Sequence, residues 1–393
     1  MVKKDKAIGK IKMDIDLSSL GPTLCAISTL KDKDAKLERG DYVKIGNYPK
    51  QSYVGQVIDG PYYVKDSKSP YEINYTVDLN SEYRDGVQRT VLDRPIPDSP
   101  VSHLEEELTQ DFLGTVGNMT IGRLLTQELV KVQLDPMILT RHIGIFGTTG
   151  TGKSNTIQTI MEEGEKVGFA VLTFDVEGEY IHMDQPTENL LDLLGVFNYK
   201  PKGIKNLDVY VPYPSTSNRE DPIRFGITFK DVDRILFSEV AGLSRIEQLF
   251  FLDLIDRVEM LLPRTRQITL LDVIERLRGR LSAQADNPTM PPFIAEAHTS
   301  LYGKLMAIHN LNMVDVQAKM INVEDILIPG KISIVDFSDA TDRLRNIAVA
   351  NILEKIFHYK MTHLDTPNLL IVLEEAHGFI SKEKREEMLA TLS

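Results

Sequence analysis

Eight consecutive residues, Gly147-Thr148-Thr149-Gly150-Thr151-Gly152-Lys153-Ser154, set three glycines, a lysine and a hydroxyl in the spacing G-x-x-x-x-G-K-S. Glycines at these positions let the backbone bend until successive N–H groups converge on one concavity, which suits the oxygens of a phosphate chain. A helix starting at the end of such a loop adds the positive end of its dipole. Lys153 supplies a cation for the β- and γ-phosphates, and the Ser154 hydroxyl is a hard oxygen ligand for Mg²⁺. Asn155 completes the nucleotide-binding stretch. The chemistry these residues can do is the binding of ATP with Mg²⁺.

A second run, Leu370-Ile371-Val372-Leu373-Glu374-Glu375, ends four apolar residues with two acids. A buried strand would deliver Glu374 to the water shell of the metal and Glu375 to the attacking water as a general base. Two acids in succession suit an ATP hydrolase that carries its own catalytic glutamate, rather than a Ras-type GTPase or a small-molecule kinase. Lys153 and Glu375 are therefore the catalytic candidates. Asp175, at the end of Phe169-Ala-Val-Leu-Thr-Phe-Asp175, is a further metal candidate, because ligands gather at the carboxyl ends of parallel strands. Arg141, six residues before the glycine-rich loop, is a candidate nucleotide contact. Lys200, Lys202 and Lys205 form a candidate DNA-contact loop, with an ordinary solvated turn as the alternative, and Arg264 and Arg266 carry the same two readings.

These residues need a scaffold. His142-Ile-Gly-Ile-Phe146 reads as a strand entering the loop, followed by an amphipathic helix and then the strand that ends at Asp175. This is a βαβ unit, so an α/β fold with a parallel sheet covered on both faces is expected. Strands are expected again at 331–338 and 368–377, with a helix between them. From 228 to 320 apolar residues recur at helical spacing, as at Leu249, Leu252, Ile255 and Met260, which predicts a helical insertion. Before residue 135 short alternating segments (YVKIGN, YVGQVIDG, PYYV, YEINYTVDLN) predict a small β-barrel or sandwich. The proline-rich run Asp93–Pro100 reads as a connector. The expected organisation is therefore a barrel and linker over 1–135, a first ATPase segment over 136–227, the insertion over 228–320 and a second ATPase segment over 321–393.

Composition narrows the function classes. The 393 residues are 42% hydrophobic and 26% charged, which is globular rather than disordered. The single cysteine, Cys25, forms no internal disulfide or cysteine-based zinc site and suits a reducing, cytoplasmic setting. No stretch of about 18 residues is free of charge, so no membrane span is expected. A net charge of −12 argues against a protein coating nucleic acid with its whole surface, but leaves room for a local basic channel.

Taken in order, the N-terminal barrel, LDPMILTRHIGIFGTTGTGKSNT, LTFDVEGEY, the helical insertion, ISIVDFS and LLIVLEEAH resemble the HerA family of hexameric DNA translocases. The resemblance implies an N-terminal barrel of the kind shared with rotary ATP synthase subunits and a RecA-like ATPase core related to FtsK-type pumps. It implies a homo-hexameric ring that moves duplex DNA through its channel in archaea, working with a NurA nuclease and with Mre11–Rad50 in double-strand-break resection. Residue by residue, it places the phosphate loop on Gly147–Ser154, the metal acid on Glu374, the catalytic glutamate on Glu375 and a nucleotide-contacting arginine on Arg141. One departure is Asp175-Val176-Glu177-Gly178-Glu179-Tyr180, where relatives often have His at the third position.

Members of that family continue beyond the equivalent of Ser393 with a further strand, which in related ATPases lies between the phosphate-loop strand and the acidic strand. The expectation is thus a truncated second ATPase segment, short of one strand and poorly active by itself. The alternatives are a nucleotide-dependent ring scaffold for a nuclease, and a related conjugation or secretion ATPase.

Overall fold

The computed structural model describes residues 6–12, 23–30, 36–47, 50–65, 71–114, 117–126, 130–197, 199–285 and 291–376. His377, read as a turn residue, and Arg385, a candidate for a contact to a neighbouring subunit, lie outside the described residues. The chain forms two compact units, Met1–Ile138 and Leu139–Ser393.

The first unit is built on β1 (Gly9–Ile11), β2 (Leu24–Thr29), β3 (Tyr42–Asn47), β4 (Gln51–Val64), β5 (Glu72–Arg84), β6 (Val87–Arg89) and β7 (Pro100–His103). Strand order is β2-β1-β7-β3-β4-β5-β6, and an added β2–β5 pairing closes six strands into a barrel with β6 appended. Closure removes the free edges of a small sheet. Side chains alternate as the pleat demands: Tyr75, Val77 and Leu79 of β5 point inward with Val43 and Ile45 of β3. The two short strands expected at YVGQVIDG and PYYV are one 14-residue strand, β4, whose register shifts against β5 accommodate the extra residues. Pro100 is not connector but the first residue of β7, a position where a missing N–H is tolerated. Helix α1 (Glu106–Leu113) and the antiparallel pair β8 (Met119–Arg123) and β9 (Lys131–Leu134) complete this unit.

The second unit runs α2 (Lys153–Lys166), β10 (Ala170–Asp175), α3 (Leu191–Val196), β11 (Leu207–Pro212) and β12 (Ile223–Phe225). Then come α4 (Arg234–Val240), α5 (Arg245–Leu261), α6 (Leu270–Ala285) and α7 (Pro292–His309). It ends with α8 (Val323–Ile326), β13 (Ile332–Asp336), α9 (Asp342–Thr362) and β14 (Leu369–Leu373). The sheet is parallel throughout, in the order β12-β11-β13-β10-β14. Every residue of β10 and β13 is buried, which is why both are mainly apolar before their terminal aspartates. Parallel register brings strand ends together: Asp175 pairs with Asp336, and Phe174 pairs with Leu373, directly before Glu374.

Helices α4 to α7 pack around Phe229, Phe237, Phe251, Leu254, Leu277 and Leu301 in one core with the sheet residues Phe174 and Val335. Helix α5 opens with a capping box. Glu247 N–H donates to Ser244 Oγ at 3.4 Å, and Glu247 Oε2 accepts the Ser244 N–H at 2.6 Å. The same Oε2 accepts Lys304 Nζ of α7 at 2.7 Å, so the cap also ties two helices together.

Two expectations are corrected. Residues 142–147 form no strand, and Ile143 and Phe146 are 45% and 94% exposed. The acidic strand β14 is half-buried rather than buried, with Ile371 and Leu373 each 41% exposed. Both have one cause: among the described residues no strand pairs with the outer edge of β14 or with the segment entering the glycine-rich loop. An apolar tetrapeptide becomes a strand only when a ladder satisfies its N–H and C=O groups.

Candidate nucleotide and metal site

The glycine-rich loop takes the shape its sequence requires. Gly150 and Gly152 have φ of 81° and 89°, in the left-handed region that a side chain disfavours. Gly152 is the N-cap of α2 and offers no side chain, so the first N–H groups of that helix lack a side-chain cap and remain donors for an anion. The loop closes on one carbonyl: Thr148 O accepts Thr151 N at 3.3 Å, Thr151 Oγ1 at 2.8 Å and Lys153 Nζ at 3.2 Å. A cation resting on a carbonyl can be drawn to a phosphate oxygen at little cost. Gly147, Thr148, Thr149 and Asn155 are exposed, and the helix is anchored behind them by Met161, which is fully buried with Val171 and Tyr180.

At the carboxyl end of the sheet, two acids organise the segment Val176–Tyr180. Asp175 is fully buried; its Oδ1 accepts Gly178 N at 2.7 Å and Glu179 N at 3.1 Å, and its Oδ2 accepts Tyr180 N at 2.9 Å. Both oxygens of this sequence-predicted metal candidate are thus engaged by the backbone. Burial raises its pKa to about 7; the Tyr180, Gly178 and Glu179 N–H groups oppose the rise and the charge of Glu374 adds to it.

Glu374 is 8% exposed. Its Oε2 accepts the N–H groups of Val176 at 3.0 Å and Glu177 at 3.3 Å, and its Oε1 accepts the Tyr180 hydroxyl at 3.2 Å. Glu177, Glu179 and Glu374 each place a carboxylate oxygen within 4.8 Å of the others. Three carboxylates that close repel one another, and a hard divalent cation such as Mg²⁺ relieves this, so the donor set fits that ion. Glu375, the next residue, is exposed with φ of 47°.

The other candidates lie apart from these contacts. Arg141 is exposed just after the 3-10 turn Pro136–Thr140. Lys200, Lys202 and Lys205 are exposed on a loop pinned by Ile204, which is 5% exposed and donates its N–H to Met183 O at 2.9 Å. Sequence reasoning passed over Tyr180 and Asp336. Asp336 Oδ1 accepts Ser338 N at 2.9 Å and Ser338 Oγ at 2.7 Å, and its Oδ2 accepts Ser217 Oγ. The signal for Asp336 was present, an acid ending the apolar run Ile332–Val335; for Tyr180 there was only an aromatic residue after a strand.

A parallel sheet with a glycine-rich loop opening a helix and carboxylates at adjacent strand ends defines a P-loop ATPase fold. Within that class the chain belongs to the HerA family: the family model described as "Helicase HerA, central domain" matches residues 119–356, more than half of the chain. Among curated relatives, Probable helicase MJ1565 of Methanocaldococcus jannaschii is 31% identical over 40% of this chain and 38% of its own length. The DNA double-strand break repair helicase HerA of Sulfolobus acidocaldarius is 35% identical over 25% of this chain and 19% of its own length. The chain thus spans well under half the length of these relatives. Among solved structures, VirB4 of Thermoanaerobacter pseudethanolicus aligns with 70% of this chain and 71% of its own at 14% identity and a TM-score of 0.40, too distant to carry weight. No described helix is long and apolar enough to cross a membrane.

Proposed function

We propose that the protein is an ATP hydrolase that drives duplex DNA through a homo-hexameric ring, acting with a NurA-type nuclease and with Mre11–Rad50 in the resection of double-strand breaks. The observation that carries this reading is the combination, within the unit Leu139–Ser393, of a complete phosphate loop with the pair Glu374 and Glu375 at the end of β14. Support for DNA as the substrate comes from relatives named as break-repair helicases.

In this reading the N–H groups of Gly147–Ser154 cradle the phosphates, with Lys153 drawn from Thr148 O toward the β/γ oxygens. Ser154 and Glu374, with Glu177 and Glu179 near it, hold the Mg²⁺ side of the nucleotide. Bound Mg²⁺ supplies Lewis-acid neutralisation of phosphate charge. Glu375 orients the attacking water and accepts its proton. Asp175 shapes the Val176–Tyr180 turn and stands beside Glu374 as a further metal candidate. Arg141 is assigned to a nucleotide contact, and the Lys200–Lys205 loop to the DNA path.

The reading is tested by displacement of streptavidin from end-biotinylated duplex DNA. ATP-dependent displacement, lost without Mg²⁺, is expected. Nucleotide and DNA binding with no displacement under any condition would favour a scaffold over a motor.

A further inference from the structure

Tyr180 is fully buried, yet its hydroxyl reaches Glu374 from within the core of the unit. Its ring packs with Met161 of α2 and Val171 of β10, and its backbone N–H is committed to Asp175 Oδ2 at 2.9 Å. Ring and backbone are therefore pinned, and the hydroxyl has one place to be. A second tie joins the same turn to the same helix, Gln158 Nε2 donating to Glu179 O at 3.3 Å.

Proton accounting fixes the direction of the contacts. Glu374 receives two backbone N–H groups and the Tyr180 O–H, so the phenol's only proton goes to Oε1 at 3.2 Å. A carboxylate that ligates a cation is oriented by donors of this kind.

We propose that Tyr180 is a positioning residue for the metal site: from a ring pinned against Met161 of α2 it donates its hydroxyl proton to Glu374 Oε1 and so holds that carboxylate in place for the cation. This rests on the nucleotide-site reading given above and adds to it the residue that couples the helix after the phosphate loop to the acidic strand.

The test is Tyr180→Phe, which keeps the ring in the core and removes only the hydroxyl. Binding of a fluorescent N-methylanthraniloyl-ATP is titrated with Mg²⁺ on the full chain, and thermal melting without ligand checks the fold. The Mg²⁺ half-saturation should rise about tenfold, as for loss of other groups that orient a metal ligand, while Mg²⁺-free nucleotide affinity stays within about twofold. Glu374→Gln should give at least as large a loss, and the double variant should lose no more than Glu374→Gln alone. An unchanged Mg²⁺ half-saturation in Tyr180→Phe, or additive losses in the double variant, overturns the proposal. Glu374→Gln with wild-type Mg²⁺ dependence overturns it whether or not Tyr180→Phe folds. Failure of the wild type to bind nucleotide at all would instead refute the nucleotide-site reading.

Discussion

Glu374 and Glu375 are adjacent in sequence but occupy opposite environments: Glu374 is buried and accepts Val176 N–H at 3.0 Å, whereas Glu375 is exposed with a left-handed backbone. The turn at Glu375 breaks the pleat of β14, so consecutive side chains leave the strand in different directions with different work to do.

Glu375→Gln keeps size and hydrogen bonding but removes the base. It should bind ATP with wild-type affinity and hydrolyse it at least about a hundredfold more slowly. Glu374→Gln should weaken Mg²⁺ dependence and loosen the Val176–Tyr180 turn. Filter binding and phosphate release on both variants decide the matter: ATP trapped by Glu374→Gln while Glu375→Gln turns over normally would reverse the roles.

Lys153→Ala removes the cation resting on Thr148 O without touching the core. Hydrolysis should fall about 10²–10³-fold, with the circular dichroism spectrum and melting temperature unchanged. Wild-type turnover would contradict the phosphate-loop assignment.

How much of this was legible in the sequence depends on how local each constraint is. Gly150 and Gly152 need positive φ whatever surrounds them, so the loop could be read in full. Alternation in Tyr75-Val77-Leu79 likewise gave a strand with one buried face. The segment Ile143–Phe146 is apolar enough for a strand, but a strand is a property of a pair, and among the described residues no strand pairs with it. Tyr180 was missed for the same reason: its contact with Glu374 spans 194 residues of chain, and only the parallel pairing of β10 with β14 brings the two together.

Glu247 gives a pH signature for the helical part of the second unit. Burial works to raise its pKa, but hydrogen bonds from Lys304, Ser300 and Ser244 outweigh it and lower the value to about 2 from 4.5. An acid so held stabilises the fold above its unfolded pKa, and that stability is lost as pH falls from 4.5 through about 2. The contribution at neutral pH is of order 3 kcal/mol. Glu247→Gln should therefore be less stable than wild type at pH 7 in urea unfolding, and the gap should close as pH falls through that window. A gap independent of pH would contradict the assignment.

The basic loop predicts a salt effect. Lys200, Lys202 and Lys205 are exposed while Ile204 anchors the loop, so replacing all three by Ala should leave the fold intact. Duplex DNA binding should weaken without change in sequence preference, and the slope of log K against log salt should shrink by about 0.9 for each phosphate no longer neutralised. An unchanged slope would remove this loop from the DNA path.

The central claim is that one site, formed by Gly147–Ser154 with Glu374 and Glu375, hydrolyses ATP in response to DNA. Steady-state phosphate release at saturating ATP and Mg²⁺, measured as duplex DNA is added, tests it most directly. The rate should rise with DNA, saturate, and disappear in Glu375→Gln while nucleotide binding persists. A rate indifferent to DNA, or one that survives Glu375→Gln, would contradict it.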